Sequence, residues 1–489
     1  MHSCADQQKV LVSLRAMIEA FTQLLINPRK IMHKSITYID VYEQAGGPVE
    51  LLEHVVRTAI WPAETLEHHL ECLREFHDTR NSYQDMENTR REVLDQATLR
   101  RLQTLVGYAY QHIPFYNRLY RGCGFEPGDL KSLKDFSKLP IINKSDLRAV
   151  RDEVAANPFV KINFMSRTSG STGVPLSVIN DTDRQRHWFV KRLLMFEQMM
   201  GERLSPGDWM YSIYYEPFFL TSILGDYKTF TVGLNADTLK VADHIRKIRP
   251  KLITGVGNQI LKVARLLPDA RELGILAFTT NSESSSIGER RLLEKLINVP
   301  ILDEYSSEEL GIIAWEQRDG SYMVAEDTVH VELVGTDDQS MEQVVGTDLW
   351  NFTMPRIRYN QGDYAEWKSA APKIGLRRLA RIIGRQDMSL VSPMYGQIDP
   401  GLILEIADTT LLPESAGVAE FRVVQKSMQE VHLLIKPMRN GKYLGDAVEA
   451  FTQRFLPLFG SNIKFTVFLV DELPHLGVKK RCILRDYHD

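Results

Sequence analysis

Cysteine is scarce: four residues in 489, at Cys4, Cys72, Cys123 and Cys482, with no C-x-x-C pair. Scattered thiols argue against a disulfide framework and fit a reducing cytoplasm, which is the expected location. No run of 18 consecutive apolar residues occurs, so no membrane span is expected. The first apolar stretch is broken by Arg15 and Glu19 with no small-residue cleavage site behind it, so no signal peptide is expected either. Charge of one sign is also lacking, with 59 Lys and Arg against 63 Asp and Glu and a formal net charge of -4. The basic clusters Arg100-Arg101, Arg377-Arg378 and Lys479 to Arg481 are short, which argues against a nucleic-acid partner. Repeats and low-complexity tracts are absent. What remains is a chain that is 44% hydrophobic and 25% charged, long enough for about two to four globular units.

Along the chain, Val10, Leu14, Met17, Ile18, Phe21 and Leu25 fall at helical spacing and predict a helix over 9–26 that stops at Asn27-Pro28. Another begins near Gly47-Pro48, and Pro62 separates it from a third that carries Leu66, Leu70 and Leu73. His68 and Cys72 stand four apart on that helix, a spacing a metal can use, but with no second ligand pair a structural role is the better reading. A charged helical stretch then runs into Tyr108-Ala-Tyr110-Gln-His-Ile-Pro114-Phe115-Tyr116. Beyond Phe159, apolar runs at Trp209 to Ile213, Thr229 to Val232, Lys251 to Thr254, Ile275 to Thr279 and Ile301 to Leu302 alternate with helical patterns. That alternation is the mark of an α/β domain. The pattern turns to β between Val324 and Tyr364, with His330 to Val334 alternating and Val344 to Phe352 reading as a strand pair. The division expected is a helical N-terminal extension over 1–87, a large α/β domain over 88–384 and a small α+β lid over 385–489.

The stretch richest in chemistry is Ser166-Arg-Thr168-Ser169-Gly170-Ser171-Thr172-Gly173-Val-Pro175. It offers five hydroxyls and two glycines between apparent strands, so its backbone can approach a polyphosphate and its N–H and O–H groups can bind one. No lysine follows Gly173, so it is not a Walker A loop. Four further segments suit a nucleotide. Asn281-Ser282-Glu283 and Asp303-Glu-Tyr305-Ser306-Ser-Glu308 each follow a predicted strand, where open sheets bind ligands. An aromatic ring there suits a base, and a carboxylate suits Mg2+. Arg358-Tyr-Asn-Gln-Gly362-Asp363 puts a carboxylate after a glycine turn, and Gly384-Arg385-Gln-Asp387 puts a cation at the domain junction. Singly, each segment also reads as a surface turn, a solvated helix start or a hairpin; in this order, together, they read as one nucleotide site.

In these segments the sequence resembles the adenylate-forming superfamily of acyl-coenzyme A synthetases, in the branch of phenylacetate-coenzyme A ligase and the related capsule-biosynthesis proteins. The match runs over roughly residues 90–489, from Ala109 to Tyr116 and Leu139-Pro140 through the motifs above. The resemblance implies that Thr168, Ser169, Gly170, Ser171, Thr172 and Gly173 hold the β- and γ-phosphates of ATP. It further implies that Ser282 and Glu283 border the adenine, that Tyr305 packs against it, that Ser306 also belongs to the nucleotide site, and that Glu308 carries Mg2+. Asp363 binds the ribose hydroxyls, Arg385 reaches the ribose, and Asp387 is the hinge. The implied activity is attack of a carboxylate on ATP to give acyl-AMP and pyrophosphate, followed by transfer of the acyl group to coenzyme A. Transfer to an amine, as in an amide synthetase, shares the first half-reaction and every motif.

Two departures from the family pattern stand out. The lysine expected directly after Gly477 is replaced by Val478, so Lys479 or Lys480 takes that catalytic role, or the chain binds nucleotide with catalysis impaired. The stretch Ala371 to Arg377 lacks the cysteine pair of some relatives, which argues against a metal there. For the acid, Tyr211, Tyr214, Tyr215, Phe218 and Phe219 lie where relatives place the pocket; they suit an aromatic carboxylic acid and equally suit strand packing.

Overall fold

A computed structural model describes residues 58–60, 66–158, 160, 164–167, 176–215, 219–222, 226–282, 285, 287–335, 342–369, 372–385, 390–398, 400–411, 413, 416–438, 444–460, 463–473 and 483–486. The helices expected over 9–26 and from Gly47-Pro48, together with Thr168 to Gly173, Phe218, Glu283, Asp387, Val478, Lys479 and Lys480, lie outside the described residues.

Strand β1 (Thr58–Ile60) precedes helices α1 (Leu66–Asp78) and α2 (Ser82–Glu87), and it corrects the expectation that the helix from Gly47-Pro48 runs on to the break at Pro62, because Thr58 to Ile60 pair in parallel with Phe219 to Thr221 of the sheet. Helix α3 (Arg91–His112) ends where Pro114 forces its predecessor out of helical geometry: Ile113 sits at φ −113°, ψ 106°. Pro114 then opens α4 (Pro114–Gly122), where its missing N–H costs nothing. Helix α5 (Lys144–Ala156) starts on a reciprocal cap between Asn143 and Asp146. Strands β2 (Phe164–Arg167) and β3 (Ser177–Asn180) pair antiparallel with Arg167 opposite Ser177; the second follows the apolar run expected at Leu176 to Ile179, whereas the first lies later than the expected Val160 to Phe164, because pairing with β3 takes Ser166 and Arg167 into the strand. Helix α6 (Thr182–Met200) follows, capped by the Asp181 carboxylate, which accepts from Arg184 N at 2.8 Å.

The next strands are β4 (Trp209–Tyr214), β5 (Phe219–Thr221), β6 (Lys228–Gly233), β7 (Leu252–Val256), β8 (Ala277–Asn281) and β9 (Ile301–Ser307). Helices α7 (Thr238–Ile248), α8 (Gly257–Arg265) and α9 (Ile287–Ile297) connect β6 to β7, β7 to β8 and β8 to β9. The chain then meanders through β10 (Gly311–Glu316), β11 (Tyr322–Val324), β12 (Val329–Gly335), β13 (Glu342–Asp348), β14 (Tyr359–Trp367) and β15 (Arg378–Arg385). Together they give a 13-stranded order β1-β5-β6-β4-β7-β8-β9-β10-β11-β15-β14-β13-β12, parallel from β6 to β9 and antiparallel from β9 onward. The Val344 to Phe352 stretch is one strand edge and a turn rather than a strand pair, because Asp348 ends β13 by turning its carboxylate onto the N–H groups of Trp350 and Asn351.

Side-chain alternation splits the parallel strands between two cores. Tyr211, Ile253, Phe278 and Ile301 face α7, α8 and α9, whereas Met210, Leu252, Ala277 and Leu302 face α1, α2 and α6. Residues 66–87 therefore share a core with the sheet. Arg186 of α6 reinforces the contact with Glu71 at 2.7 Å and Glu75 at 2.9 Å. Gly255, at φ +149°, is required: a Cβ there would lie 2.1 Å from the Ile213 carbonyl oxygen of β4. Beyond the junction, α10 (Pro400–Thr410), β16 (Val418–Ser427), β17 (Glu430–Pro437), α11 (Leu444–Phe455), β18 (Lys464–Leu469) and β19 (Ile483–Arg485) form a smaller α+β unit, its sheet ordered β18-β17-β16-β19 over a separate core.

One buried ion cluster ties the hairpin β2–β3 to the rest. Asp348 accepts from Arg184 Nε at 3.1 Å and Arg356 Nη2 at 3.0 Å, all three side chains being at most 6% exposed. Arg356 also donates to Asn180 Oδ1 at 2.8 Å, and Asn351 Nδ2 donates to the Ile179 carbonyl at 2.8 Å. Removing the shared acceptor strands two guanidiniums, so Asp348→Ala is expected to lose about 3–5 kcal/mol in urea unfolding. A loss under about 1 kcal/mol would show the cluster is dispensable.

Burial also holds imidazoles neutral. His330, packed edge-on to Phe136, has its pKa pushed down to about 3, first by burial and then by the nearby arginines, and burial lowers His244 to about 4. The unfolded chain binds these protons near pH 6.5, so the stabilising effect is complete above that pH and is lost as pH falls. Each imidazole is expected to contribute about 1.4 kcal/mol of lost stability per pH unit below 6.5. His330→Phe should flatten that slope between pH 6.5 and 5 in urea titrations; an unchanged slope would remove His330 from the account.

Candidate active site

The C-terminal ends of the parallel strands carry the polar groups, the position where open α/β sheets bind ligands. Tyr214 ends β4, and its hydroxyl lies 3.2 Å from Ser282 Oγ, just beyond the end of β8. Ser282 itself adopts φ +65° and donates to the Asn281 side chain at 3.0 Å. Burial raises the Tyr214 phenol pKa, with Glu308 and Glu304 adding to the rise, which places the Glu308 carboxylate in electrostatic reach of this corner. Tyr215 packs edge-on to Tyr214 at 4.9 Å. Tyr211 is different: its ring is fully buried and its hydroxyl meets His244 Nδ1 at 3.1 Å, so it belongs to the core.

Tyr305 and Asp363, distant in sequence, meet here. The Tyr305 hydroxyl donates to Asp363 Oδ2 at 2.8 Å. Tyr305 and Ser306 lie within β9 rather than after it, because the strand continues through Ser307 to pair with β10. Gly362 does not form a hairpin turn either. It sits inside β14 at φ +86°, where Gln361, Gly362 and Asp363 bulge against the single residue Val344 of β13. The bulge puts Gln361 and Asp363 on one face, and Gln361 Nε2 donates to both Asp363 Oδ2 at 3.0 Å and the Tyr305 hydroxyl. Arg385 pairs with Asp363 across β14 and β15, bringing the junction motif to the same corner. Phe219 begins the short strand β5, whose partner on the far side is β1.

Glu308 is exposed in the turn between β9 and β10. Among the described residues no three His, Cys, Asp or Glu side chains cluster as a metal cage. A single exposed carboxylate fits Mg2+, which takes most of its ligands from phosphate and water. Cys72 is buried and its thiol is pushed up to about 12, first by burial, as a structural cysteine should be.

Beneath the corner lies a buried set that sequence reasoning missed. Asp303 accepts from Thr280 Oγ1 at 2.6 Å and Tyr322 OH at 3.1 Å, and burial raises its pKa while Arg290 pulls it back. Arg290 of α9, 1% exposed, also donates to Glu316 at 2.9 Å and to the Ser285 carbonyl at 3.2 Å. Nothing in the local pattern announces Arg290, which reads as one more charge in Gly-Glu-Arg-Arg. Gln361 was overlooked because it stands between two residues already assigned to a motif.

No family model matches the chain. It is 24% identical over 402 residues to the phenylacetate-coenzyme A ligase of Pseudomonas putida, covering 77% of this chain and 86% of that protein. Protein CapK of Staphylococcus aureus is 22% identical over 431 residues, covering 82% and 92%. The chain is similar to the phenylacetate-coenzyme A ligases. Among solved structures, a 2-hydroxyisobutyryl-CoA ligase in its postadenylation state, bound to an acyl adenylate, superposes with a TM-score of 0.65 at 20% identity over 82% of this chain and 92% of that one. The chain thus shares the fold of that ligase, with the large sheet domain and smaller C-terminal sheet expected from its sequence. No described helix is long and apolar enough to cross a membrane.

Proposed function

We propose that this chain activates a carboxylic acid with ATP, releasing pyrophosphate, and transfers the acyl group from AMP to coenzyme A. The observation that carries the reading is the contact of Tyr305 with Asp363, which joins the base and ribose motifs of an adenylate-forming enzyme at one strand-end corner. Asp363, fixed by two donors, accepts the ribose hydroxyls, and the Tyr305 ring packs on the adenine beside Ser306. Ser282 and Glu283 border the base from β8. The hydroxyls and backbone amides of Thr168 to Gly173 donate to the β- and γ-phosphates, and Arg385 reaches the ribose from the junction. Glu308 would hold Mg2+, which would supply charge neutralisation for the pyrophosphate. An acid held by Tyr214 and Tyr215, with Phe218 and Phe219, is aligned with the α-phosphorus; such an aromatic corner suits a flat or aryl carboxylate. Positioning and electrostatics are what phosphoryl chemistry chiefly needs.

The division at Arg385 to Asp387 serves as a hinge, so the smaller unit presents the Lys479-Lys480 segment for adenylation and then turns away for thioester formation. One of the two lysines takes the position that Val478 vacates.

Incubating the protein with ATP, Mg2+, coenzyme A and a panel of carboxylic acids should yield an acyl-coenzyme A by mass spectrometry with stoichiometric AMP. Glu308→Gln is expected to slow its formation about 100-fold or more while the fold is retained. Acyl transfer to hydroxylamine or an amino acid but never to coenzyme A would replace the thioester reading by amide synthesis. Of Lys479→Ala and Lys480→Ala, one is expected to lose about 100- to 1000-fold in acid-dependent pyrophosphate release. Two near-normal variants would show that neither lysine acts there.

A further inference from the structure

The bulge in β14 carries a residue that none of the motif assignments uses. Gln361 directs both N–H bonds of its side-chain amide into the site, one to the Tyr305 hydroxyl and one to Asp363 Oδ2 at 3.0 Å. Tyr305 in turn donates to the same Asp363 oxygen at 2.8 Å, closing a three-membered ring of hydrogen bonds. Gln361 Oε1 is buried with no hydrogen-bond partner among the described residues, and the bonds this amide donates go to the two site residues. The backbone is built for this arrangement. Gly362 takes φ +86°, its N–H is held by Asn360 Oδ1 at 2.9 Å, and Asn360 Nδ2 is anchored to Gln343 at 2.9 Å.

The consequence follows from donor counting. A carboxylate that accepts two hydrogen bonds on one oxygen has that oxygen committed and its plane fixed, which leaves its orientation toward a diol set before ligand arrives. With Gln361 removed, the carboxylate loses one of the two hydrogen bonds that meet on Oδ2, and the tyrosine hydroxyl loses the donor that ties it to β14. We propose that Gln361 is a positioning residue that locks Tyr305 and Asp363 into one unit and thereby sets the selectivity of the site for a ribose over a deoxyribose nucleotide. This rests on the assignment of Asp363 to the ribose under the proposed function.

The test uses the full chain and two defined probes, AMP and 2′-deoxy-AMP, titrated calorimetrically so that no acid need be known. The parent is expected to favour AMP. Gln361→Met, of similar size but without donors, should reduce the ratio of the two affinities about 5- to 30-fold, the effect of losing one or two net hydrogen bonds to a charged group. Its thermal unfolding midpoint should stay near the parent's. Gln361→Glu adds a like charge beside Asp363 and should reduce the ratio more at pH 8 than at pH 5.5, where protonation restores one donor. A purely structural residue would not change the ribose ratio or make it depend on pH. Asp363→Asn separates the two layers. If it abolishes the discrimination while Gln361→Met keeps the parent ratio, the role given to Gln361 is wrong and the ribose assignment stands. If Asp363→Asn leaves the discrimination intact, the ribose assignment fails and this inference fails with it.

Discussion

The carboxylate of Asp348 between Arg184 and Arg356 is the constraint on which the rest of the large domain depends. It sits at the end of β13 in the antiparallel half, yet it holds the first turn of α6 and, through Arg356 and Asn180, the end of β3. The hairpin β2–β3 lies outside the 13-stranded sheet, so these polar links, with the cap of Asp181 onto Phe352 N at 3.1 Å, orient it. A buried triad of this kind is costly to assemble and more costly to break. Its effect is directional: it fixes where the Ser/Thr/Gly connection leaves and re-enters the domain, which apolar packing alone fixes loosely.

From that frame the site gathers at strand ends. Parallel strands β4, β8 and β9 bring Tyr214, Ser282 and Tyr305 to one edge, and the bulge in β14 brings Gln361 and Asp363 to meet them. Two kinds of rigidity support the corner. The Asp303, Arg290 and Glu316 set braces β8, β9 and the Ser285 segment from beneath, and the hydrogen bonds of Gln361 brace the Tyr305–Asp363 pair from the side. A ligase whose chemistry is mostly alignment gains from a first contact that is already in place.

Much of this was legible in residue order. Short apolar runs separated by helical patterns announced β4, β6, β7, β8 and β9, because parallel strands buried on both faces must be apolar throughout. Pro114 announced the break between α3 and α4, since it acts through local sterics alone. The misreadings were of tertiary origin. Asp303, Tyr305 and Ser306 look like loop residues, but pairing of Asp303 with Thr280 of β8 and of Tyr305 and Ser306 with β10 keeps them in a strand. Gly362 looks like a turn, and the bulge against Val344 keeps it in β14. Tyr211 looks like its neighbours Tyr214 and Tyr215, but it lies within β4 and is buried against Phe230 and His244, whereas they stand at and beyond the strand's end. Arg290 and Gln361 carry no local signal, because their partners lie on other elements.

The central claim is that this corner binds ATP for attack by a carboxylate. Exchange of labelled pyrophosphate into ATP isolates that half-reaction from whatever acceptor follows. The account predicts exchange that requires a carboxylic acid and Mg2+ and that falls sharply in Asp363→Ala. Absence of exchange with every acid in a broad panel, by protein that still binds ATP, would contradict it.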